Sequence, residues 1–317
     1  MRLVWPGSGR ITVALLAVVP AAMSYPWHST TQRWALGIAV AVVILLFGWW
    51  RGLHFTTIVR RRFGLLGRRR SNSGSHQLVA HSGADARTTA VLRVLPDGDA
   101  ELPVLLIAGY LDRYGLRCES VRITSRDTIS DRDTWIGLTM SAADNLAALR
   151  ARSAQIPLRE TAEVVLRRLA DHLRENGCPV TTSEVDIYDV LGPQAKERWR
   201  AVEDGTSGFI AAYDVTVDQT LPDTLTQLWA QQATEVWTTV QISQGSRLAV
   251  ACAVRSDEMP GRAAPPRGLI SRRGAHRAAL DAIVPDSTDP LGPGTAAPDL
   301  LATLRWPVRT SAAAGTG

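Results

Sequence analysis

The chain begins with two long apolar segments, residues 11–27 and 34–50, separated by a short polar stretch. The second segment has no charged residue, and its length corresponds to about 26 Å of helix, enough to cross a thin hydrocarbon core. Pro20 interrupts the first segment, but proline is tolerated in membrane helices. The pattern predicts a transmembrane helical hairpin over residues 11–50. Tryptophans at the ends of both segments suit the membrane interfaces, and we predict them as anchors: Trp5, Trp27, Trp34, Trp49 and Trp50.

The first segment has a second interpretation, a cleaved signal peptide. Arg2 and Arg10 would form its basic region, and the residues after Pro20 (AAMS) include small side chains suited to cleavage. The hairpin is favoured because residues 27–33 would be a very short polar stretch to stand as a mature N-terminus before another span.

A basic segment follows the second span. Residues 1–70 hold ten arginines and no carboxylate, and most of these arginines lie in the juxtamembrane segment 51–75. By the positive-inside rule, the N-terminal tail (1–10) and everything after residue 50 lie in the cytoplasm, so the chain is a multi-pass inner-membrane protein. We also expect the segment to contact anionic lipid head groups or an acidic partner. Its arginines are Arg51, Arg60, Arg61, Arg62, Arg68, Arg69 and Arg70.

The remainder of the chain has the opposite charge. Its 247 residues carry 25 basic and 30 acidic side chains, a net charge of −5. Such a domain repels phosphate overall, so we predict no nucleic-acid partner.

Residues 76–256 show the pattern of one cytoplasmic mixed α/β domain, an α+β fold in which a mixed sheet is flanked by helices. Residues 102–117 predict a helix running into a strand at 118–124, and a second strand at 134–140 follows a polar turn. Residues 157–177 have apolar positions at helical spacing and predict an amphipathic helix. Alternating β-branched residues on both sides of 244–246 predict a hairpin. Residues 257–317 are rich in proline and glycine, and we predict a C-terminal extension with short helices and a disordered tail.

Catalytic motifs are scarce in the sequence. The only lysine, Lys196, is not in a phosphate-binding loop, and the three cysteines lack metal-ligand spacing. We therefore predict no cofactor, no metal and no enzymatic activity. One alternative remains: Asp131 and Asp133 match the Asp-x-Asp spacing with which glycosyltransferases hold a metal and a nucleotide sugar. Asp97 and Asp99 repeat this spacing, but both pairs lie in predicted turns, where aspartate is common for backbone reasons.

The layout and several local stretches resemble the EccE component of mycobacterial and related actinobacterial type VII (ESX) secretion systems. The resemblance is carried by the double span with its following arginines, by RWRAVEDG at 198–205, and by QLWAQQATEVWTTVQIS at 227–243. It implies a non-catalytic structural subunit of an inner-membrane secretion complex, assembled with EccB, EccC and EccD. In that family the EccC ATPase supplies ATP hydrolysis, and no catalytic residues carry over.

Overall fold

The computed structural model describes residues 49–50, 53–54, 86–95, 101–152, 157–183, 185–231, 233–261, 263 and 265–308. The chain divides into two compact units, Met1–Ser73 and Gly74–Gly317. In the first unit, Trp49–Trp50 pairs antiparallel with Leu53–His54. Trp49 and Trp50, the last two residues of the predicted second span, are in this strand pair. The rest of both predicted spans lies outside the described residues, and no helix within the described residues is long and apolar enough to cross a membrane.

The strands and helices are numbered in chain order. The described strands are β1 (Trp49–Trp50), β2 (Leu53–His54), β3 (Arg87–Val94), β4 (Asp112–Arg113), β5 (Leu116–Arg117), β6 (Ser120–Thr128), β7 (Arg132–Ser141), β8 (Val180–Thr181), β9 (Lys196–Glu197), β10 (Val202–Glu203), β11 (Phe209–Val215), β12 (Glu235–Ser243), β13 (Arg247–Ser256), β14 (Leu269–Ser271) and β15 (Thr295–Ala296). The described α-helices are α1 (Val104–Ala108), α2 (Leu146–Arg152), α3 (Leu158–Glu175), α4 (Leu221–Trp229), α5 (His276–Ile283) and α6 (Pro298–Thr303).

One large sheet dominates the second unit. Its strands follow the order β8-β3-β7-β6-β12-β13-β11-β10-β9, with β14 added to β11 and β15 added to β13. Every described pairing in it is antiparallel, so the predicted mixed sheet is wrong in this respect. The strand order explains why no parallel neighbours occur among these described strands. β3 and β6 run in the same direction, but β7 returns between them, and β13 separates β11 from β12 in the same way.

The central six strands contain the same arrangement twice. A strand, a helix and a hairpin occur in the order β3-α1-β6-β7, with the small β4–β5 hairpin inserted after α1, and again as β11-α4-β12-β13. The two halves meet where β6 pairs with β12. Thr124 and Thr239 are register partners at the middle of that pair. The Thr239 hydroxyl donates to the Thr124 hydroxyl oxygen at 3.1 Å.

Two predicted elements are confirmed closely. The amphipathic helix is α3, which buries one apolar stripe, including Val165 and Leu169. The hairpin around 244–246 is β12–β13, where Gly245 and Ser246 have the positive φ angles of a tight turn.

Three other predictions need correction. The helix predicted over 102–117 ends early: α1 stops at Ala108, and residues 112–117 form a small hairpin with positive φ at its turn. The polar turn predicted at 125–133 is mostly strand, because β6 continues to Thr128 and β7 begins at Arg132. The domain core also extends beyond the predicted boundary at residue 256, since β14, β15, α5 and α6 belong to the same compact unit as the sheet.

The sheet has two different faces. One is apolar: Ile123, Leu138 and Val240 pack there with α1, α3, α4 and residues 301–308. The other face mixes Trp135, Trp237 and small alanines with buried polar groups, and α5 packs on it. We call the second surface the polar face.

Candidate functional site

Six charged side chains cross one end of the polar face with alternating sign. We call this set the charge ladder, and its members in spatial order are Arg93, Asp133, Arg126, Glu235, Arg255 and Asp204. Five adjacent strands contribute one member each, from β3 to β13, and Asp204 follows β10.

Strand register brings these charges together. Arg126 lies opposite Asp133 across β6 and β7, and Glu235 lies opposite Arg255 across β12 and β13. Opposite charges at facing positions stabilise an antiparallel pair, so each hairpin carries its own ion pair. The two pairs are joined where the Arg126 Nε approaches the Glu235 Oε1 to 2.5 Å.

Glu235 is the centre of the ladder. Its second oxygen accepts from the Arg255 Nε at 2.6 Å, and its side chain is 10% exposed. Burial alone would raise the pKa of Glu235, but the hydrogen bonds from Arg126 and Arg255 outweigh it and hold the pKa below the usual glutamate value. Glu235 is therefore ionised at neutral pH and links the two hairpins electrostatically.

Aromatic rings line the ladder. Trp135 and Trp237 stack with ring centroids 5.8 Å apart, and both are fully buried. The Arg126 guanidinium carbon lies 4.3 Å from the centroid of the Tyr188 ring, which is 40% exposed. Arg126 of the ladder therefore lies between the partly exposed Tyr188 ring and the buried Trp237 ring, whose centroid is 5.9 Å from its guanidinium carbon.

A buried arginine holds the segment after α5 against the same face. Arg122 donates to the carbonyl oxygens of Val284, Ser287 and Asp289, and to the Gln241 side chain. Burial lowers the pKa of Arg122 to about 10, so the guanidinium remains charged at neutral pH.

Glycine makes this close approach possible. A Cβ added at Gly137 would lie 2.5 Å from the Pro285 carbonyl oxygen. Residues 284–289 therefore lie directly on the strand backbone, where a side chain at position 137 would push them away.

A separate buried ion pair binds the C-terminal segment on the apolar face. Arg132 donates to both carboxylate oxygens of Asp127 and to the Pro307 carbonyl oxygen, and both charged side chains are almost completely buried. The Trp306 indole donates to the Ser125 hydroxyl at 2.7 Å. These contacts fasten residues 306–308 to the sheet.

The predicted Asp-x-Asp site does not have the geometry of a metal site. Asp133 is bound by Arg93 and approached by Arg126, while the exposed Asp131 accepts from Ser130 in the β6–β7 turn. Within the described residues no group of three His, Cys, Asp or Glu side chains could hold a metal ion. The glycosyltransferase alternative therefore gains no support from Asp131 and Asp133, and Asp97 and Asp99 lie outside the described residues.

The other predicted site residues are not tested by the structure. Trp49 and Trp50 are in β1, and the remaining tryptophan anchors and the arginines of segment 51–75 lie outside the described residues. Their roles stay predictions.

The sequence prediction missed the charge ladder and Arg122. One signal was present: β6 reads SVRITSRDT, so Arg122, Thr124 and Arg126 alternate with buried apolar and small residues. This alternation indicates a strand with one polar face. It does not indicate which residues on other strands complete that face.

The described region is thus an antiparallel β-domain whose buried charged side chains hold segments of the same chain in place. Residues 128–251, from the last residue of β6 into β13, match the model of a type VII ESX secretion system translocon family, EccE. The chain is 48% identical over 320 residues to the ESX-3 secretion system protein EccE3 of Mycobacterium tuberculosis, covering 98% of this chain and 95% of that protein. It is 46% identical over 307 residues to EccE3 of Mycolicibacterium smegmatis, covering 96% of each. The chain belongs to the EccE family.

Proposed function

We propose that the protein is a non-catalytic structural subunit of a type VII (ESX) secretion complex in the inner membrane. The observation that carries this proposal is the length of the similarity: 98% of the chain aligns with a relative named as an ESX-3 secretion system protein. So little of the chain is left out that the alignment includes the apolar and arginine-rich N-terminal region as well as the β-domain.

The described domain suits a bracing role. Its charge ladder links strands from both halves of the sheet, and Arg122 and Arg132 fix two C-terminal segments to opposite faces. Buried ionic contacts of this kind favour one rigid arrangement over sliding alternatives. A rigid domain transmits force and position between neighbouring subunits.

The membrane part of the proposal comes from the sequence. Two spans over residues 11–50 hold the chain in the bilayer, with the N-terminus and the β-domain in the cytoplasm. The arginines of segment 51–75 enforce this orientation and contact anionic head groups. The partners are the other ESX membrane subunits, EccB, EccC and EccD, with EccC as the ATPase.

Copurification tests the role in a complex. We expect the tagged full chain, extracted with a mild detergent from a mycobacterial membrane, to carry other ESX membrane subunits at a constant ratio. A chain that elutes alone, free of other membrane proteins, would contradict the proposal.

Cysteine labelling tests the orientation. The native thiols, Cys118, Cys178 and Cys252, are buried, and burial raises the pKa of Cys118 to about 12. The parent chain therefore gives a low background with a membrane-impermeant maleimide. A Ser130→Cys variant places one thiol in the exposed β6–β7 turn, and we expect labelling only after the membrane is opened. Equal labelling in intact cells would place the domain outside and refute the topology.

A further inference from the structure

An exposed tyrosine in the β4–β5 turn lies against two arginines. The guanidinium carbons of Arg168 and Arg113 are 4.8 Å and 5.3 Å from the centroid of the Tyr114 ring, and Tyr114 is 58% exposed. We call these three residues the tyrosine–arginine patch. Arg113 comes from β4 and Arg168 from α3, so the patch joins two elements that are distant in sequence.

The buried Tyr110 side chain fixes the position of the tyrosine–arginine patch. Tyr110 is buried, and its hydroxyl donates to the Arg168 carbonyl oxygen at 3.0 Å. Its ring meets the Tyr114 ring edge-on at 6.5 Å, and Arg113 also lies over it at 4.9 Å. The hairpin is therefore fastened to α3, and the patch has a defined shape before any partner binds.

The backbone at Tyr114 is unfavourable for its own side chain. Its φ angle is 58°, and the next residue, Gly115, has φ 72°. A two-residue turn of this kind favours glycine, asparagine or aspartate at both positions. Folding alone would be served better by a smaller residue, and strain kept at an exposed aromatic side chain indicates a function for the ring.

The two guanidinium groups also lack carboxylate partners among the described residues. Neither Arg113 nor Arg168 forms a salt bridge there, although other arginines of the same elements do. Arg117 of the hairpin pairs with Asp112, and Arg174 of α3 pairs with Asp171. Two like charges that converge on one ring, with the nearby acids already engaged, form a site for an external anion.

The surroundings favour a single carboxylate over an extended anionic surface. Asp112 and Asp171 belong to the same hairpin and helix, and their side chains are 57% and 68% exposed. These carboxylates would repel a flat anionic bilayer, whereas one acidic side chain can enter between the two arginines. A peptide beside that side chain can pack on the Tyr114 ring.

We infer that the tyrosine–arginine patch is a docking site for an acidic peptide segment of another protein. Arg113 and Arg168 bind a glutamate or aspartate of that segment, and Tyr114 packs against its backbone. The inference rests on the proposed function only in that the partner would be a subunit of the same complex.

Binding of a defined probe gives the first test. The full chain, transferred from mild detergent into an amphipathic polymer that leaves vesicles intact, is titrated with a fluorescent peptide of alternating glutamate and serine. A lysine–serine peptide and phosphatidylglycerol vesicles are the comparison ligands. We expect the acidic peptide to bind and the double variant Arg113→Gln/Arg168→Gln to weaken it about tenfold. Tyr114→Gly, which suits the positive φ and leaves the fold intact, should also weaken it, whereas Arg167→Gln on the adjacent exposed position should not.

Three outcomes would overturn the inference: no binding of the acidic peptide by the parent chain, equal loss in Arg167→Gln, or loss of vesicle binding with unchanged peptide binding. The third outcome would assign the patch to the bilayer.

Crosslinking in the intact complex gives the second test. With a photoreactive phenylalanine analogue at position 114, we expect the crosslinked peptide to contain several acidic residues. The variant Arg168→Glu should impair assembly with the partner. Replacing the acidic residues of the crosslinked partner segment by arginine should then restore assembly with this variant. A crosslink to lipid, or to a peptide without acidic residues, would overturn the inference. If the other subunits fail to copurify with the parent chain, the proposed function fails; if they copurify and the patch variants bind like the parent, only this inference fails.

Discussion

Replacing Arg132 by methionine should destabilise the β-domain by about 3–5 kcal/mol, because it leaves a buried carboxylate without its counter-charge. The Arg132 and Asp127 side chains are 1% and 5% exposed, so water cannot replace the lost ion pair. The substitution also removes the hydrogen bond to the Pro307 carbonyl oxygen and the contact with the Trp229 ring at 4.8 Å.

The magnitude can be separated into its parts by a double-mutant cycle. In Asp127→Leu/Arg132→Met both charges are replaced by apolar side chains of similar size. Most of the loss should then disappear, leaving about 1–2 kcal/mol for the freed Pro307 carbonyl and the C-terminal segment. A strong positive coupling between the two positions is the expected signature of an unpaired buried charge.

The pH dependence of the free energy of unfolding gives an independent test of the unpaired charge. Burial raises the pKa of Asp127, and Arg132 offsets part of that rise. Without Arg132 the folded-state pKa rises further above the unfolded value, so the folded state binds more protons between the two values. Stability of Arg132→Met should therefore fall as pH rises from mildly acidic to neutral.

Pulse proteolysis in urea measures these differences on the full chain in mild detergent. For a domain of this size each 1 kcal/mol corresponds to about 2–4 °C, so thermal unfolding should show a decrease of about 6–20 °C. The reasoning fails if the double variant is as unstable as the sum of the single variants, or if Arg132→Met is equally stable across the acidic range.

Two further predictions concern the polar face. Glu235→Gln should cost about 1.5–3 kcal/mol at neutral pH by removing the charge shared by Arg126 and Arg255. The folded-state pKa of Glu235 is lowered, so the parent chain should lose the stability that the Glu235 charge contributes as pH falls below the ordinary glutamate value of 4.5. The variant has no carboxylate at this position and should lack that part of the acid unfolding transition. Identical acid unfolding curves for the parent and the variant would contradict a stabilising charge at Glu235. Gly137→Ala should lower stability by about 1–3 kcal/mol through the clash with the Pro285 carbonyl oxygen. Gly109→Ala is the matched control, because a Cβ there meets open space and φ is −60°. Its stability should stay within about 1 kcal/mol of the parent in the same proteolysis assay. Equal stability of the two alanine variants would show that residues 284–289 do not lie on the strand.

Elements governed by nearby residues were predicted well from the sequence. The α3 stripe depends on side chains three and four positions apart, and the β12–β13 hairpin depends on two alternating runs around one turn. Both patterns are complete within about 20 residues, so no distant partner is needed to recognise them. The family resemblance also rests on continuous stretches, and the near full-length similarity confirms it.

Predictions failed where a tight turn or a tertiary contact overrides the periodicity of apolar and polar residues. The apolar run at 102–117 suits a helix, yet the pairing of β4 with β5 ends it early. The aspartates at 131 and 133 suit a turn or a metal site, yet β7 begins before Asp133 and places it beside Arg93. Arg93 is 40 positions from Asp133 and therefore outside the window that the periodicity describes. The β4–β5 pairing is local, but it depends on positive φ angles at Tyr114 and Gly115, which the spacing of apolar residues does not indicate.

Periodicity and charge distribution were sufficient to predict the amphipathic helix, the hairpin, the α+β composition and the charge contrast between the N-terminal 70 residues and the remainder. The tertiary structure alone decided the antiparallel order of the sheet, the charge ladder and the placement of the C-terminal segment in the core. The physical reason is sequence distance: Arg126 and Glu235 are 109 positions apart, and Ser125 and Trp306 are 181 apart. Contacts of that range depend on the folded path of the whole domain, which no local pattern of hydrophobic and polar residues encodes.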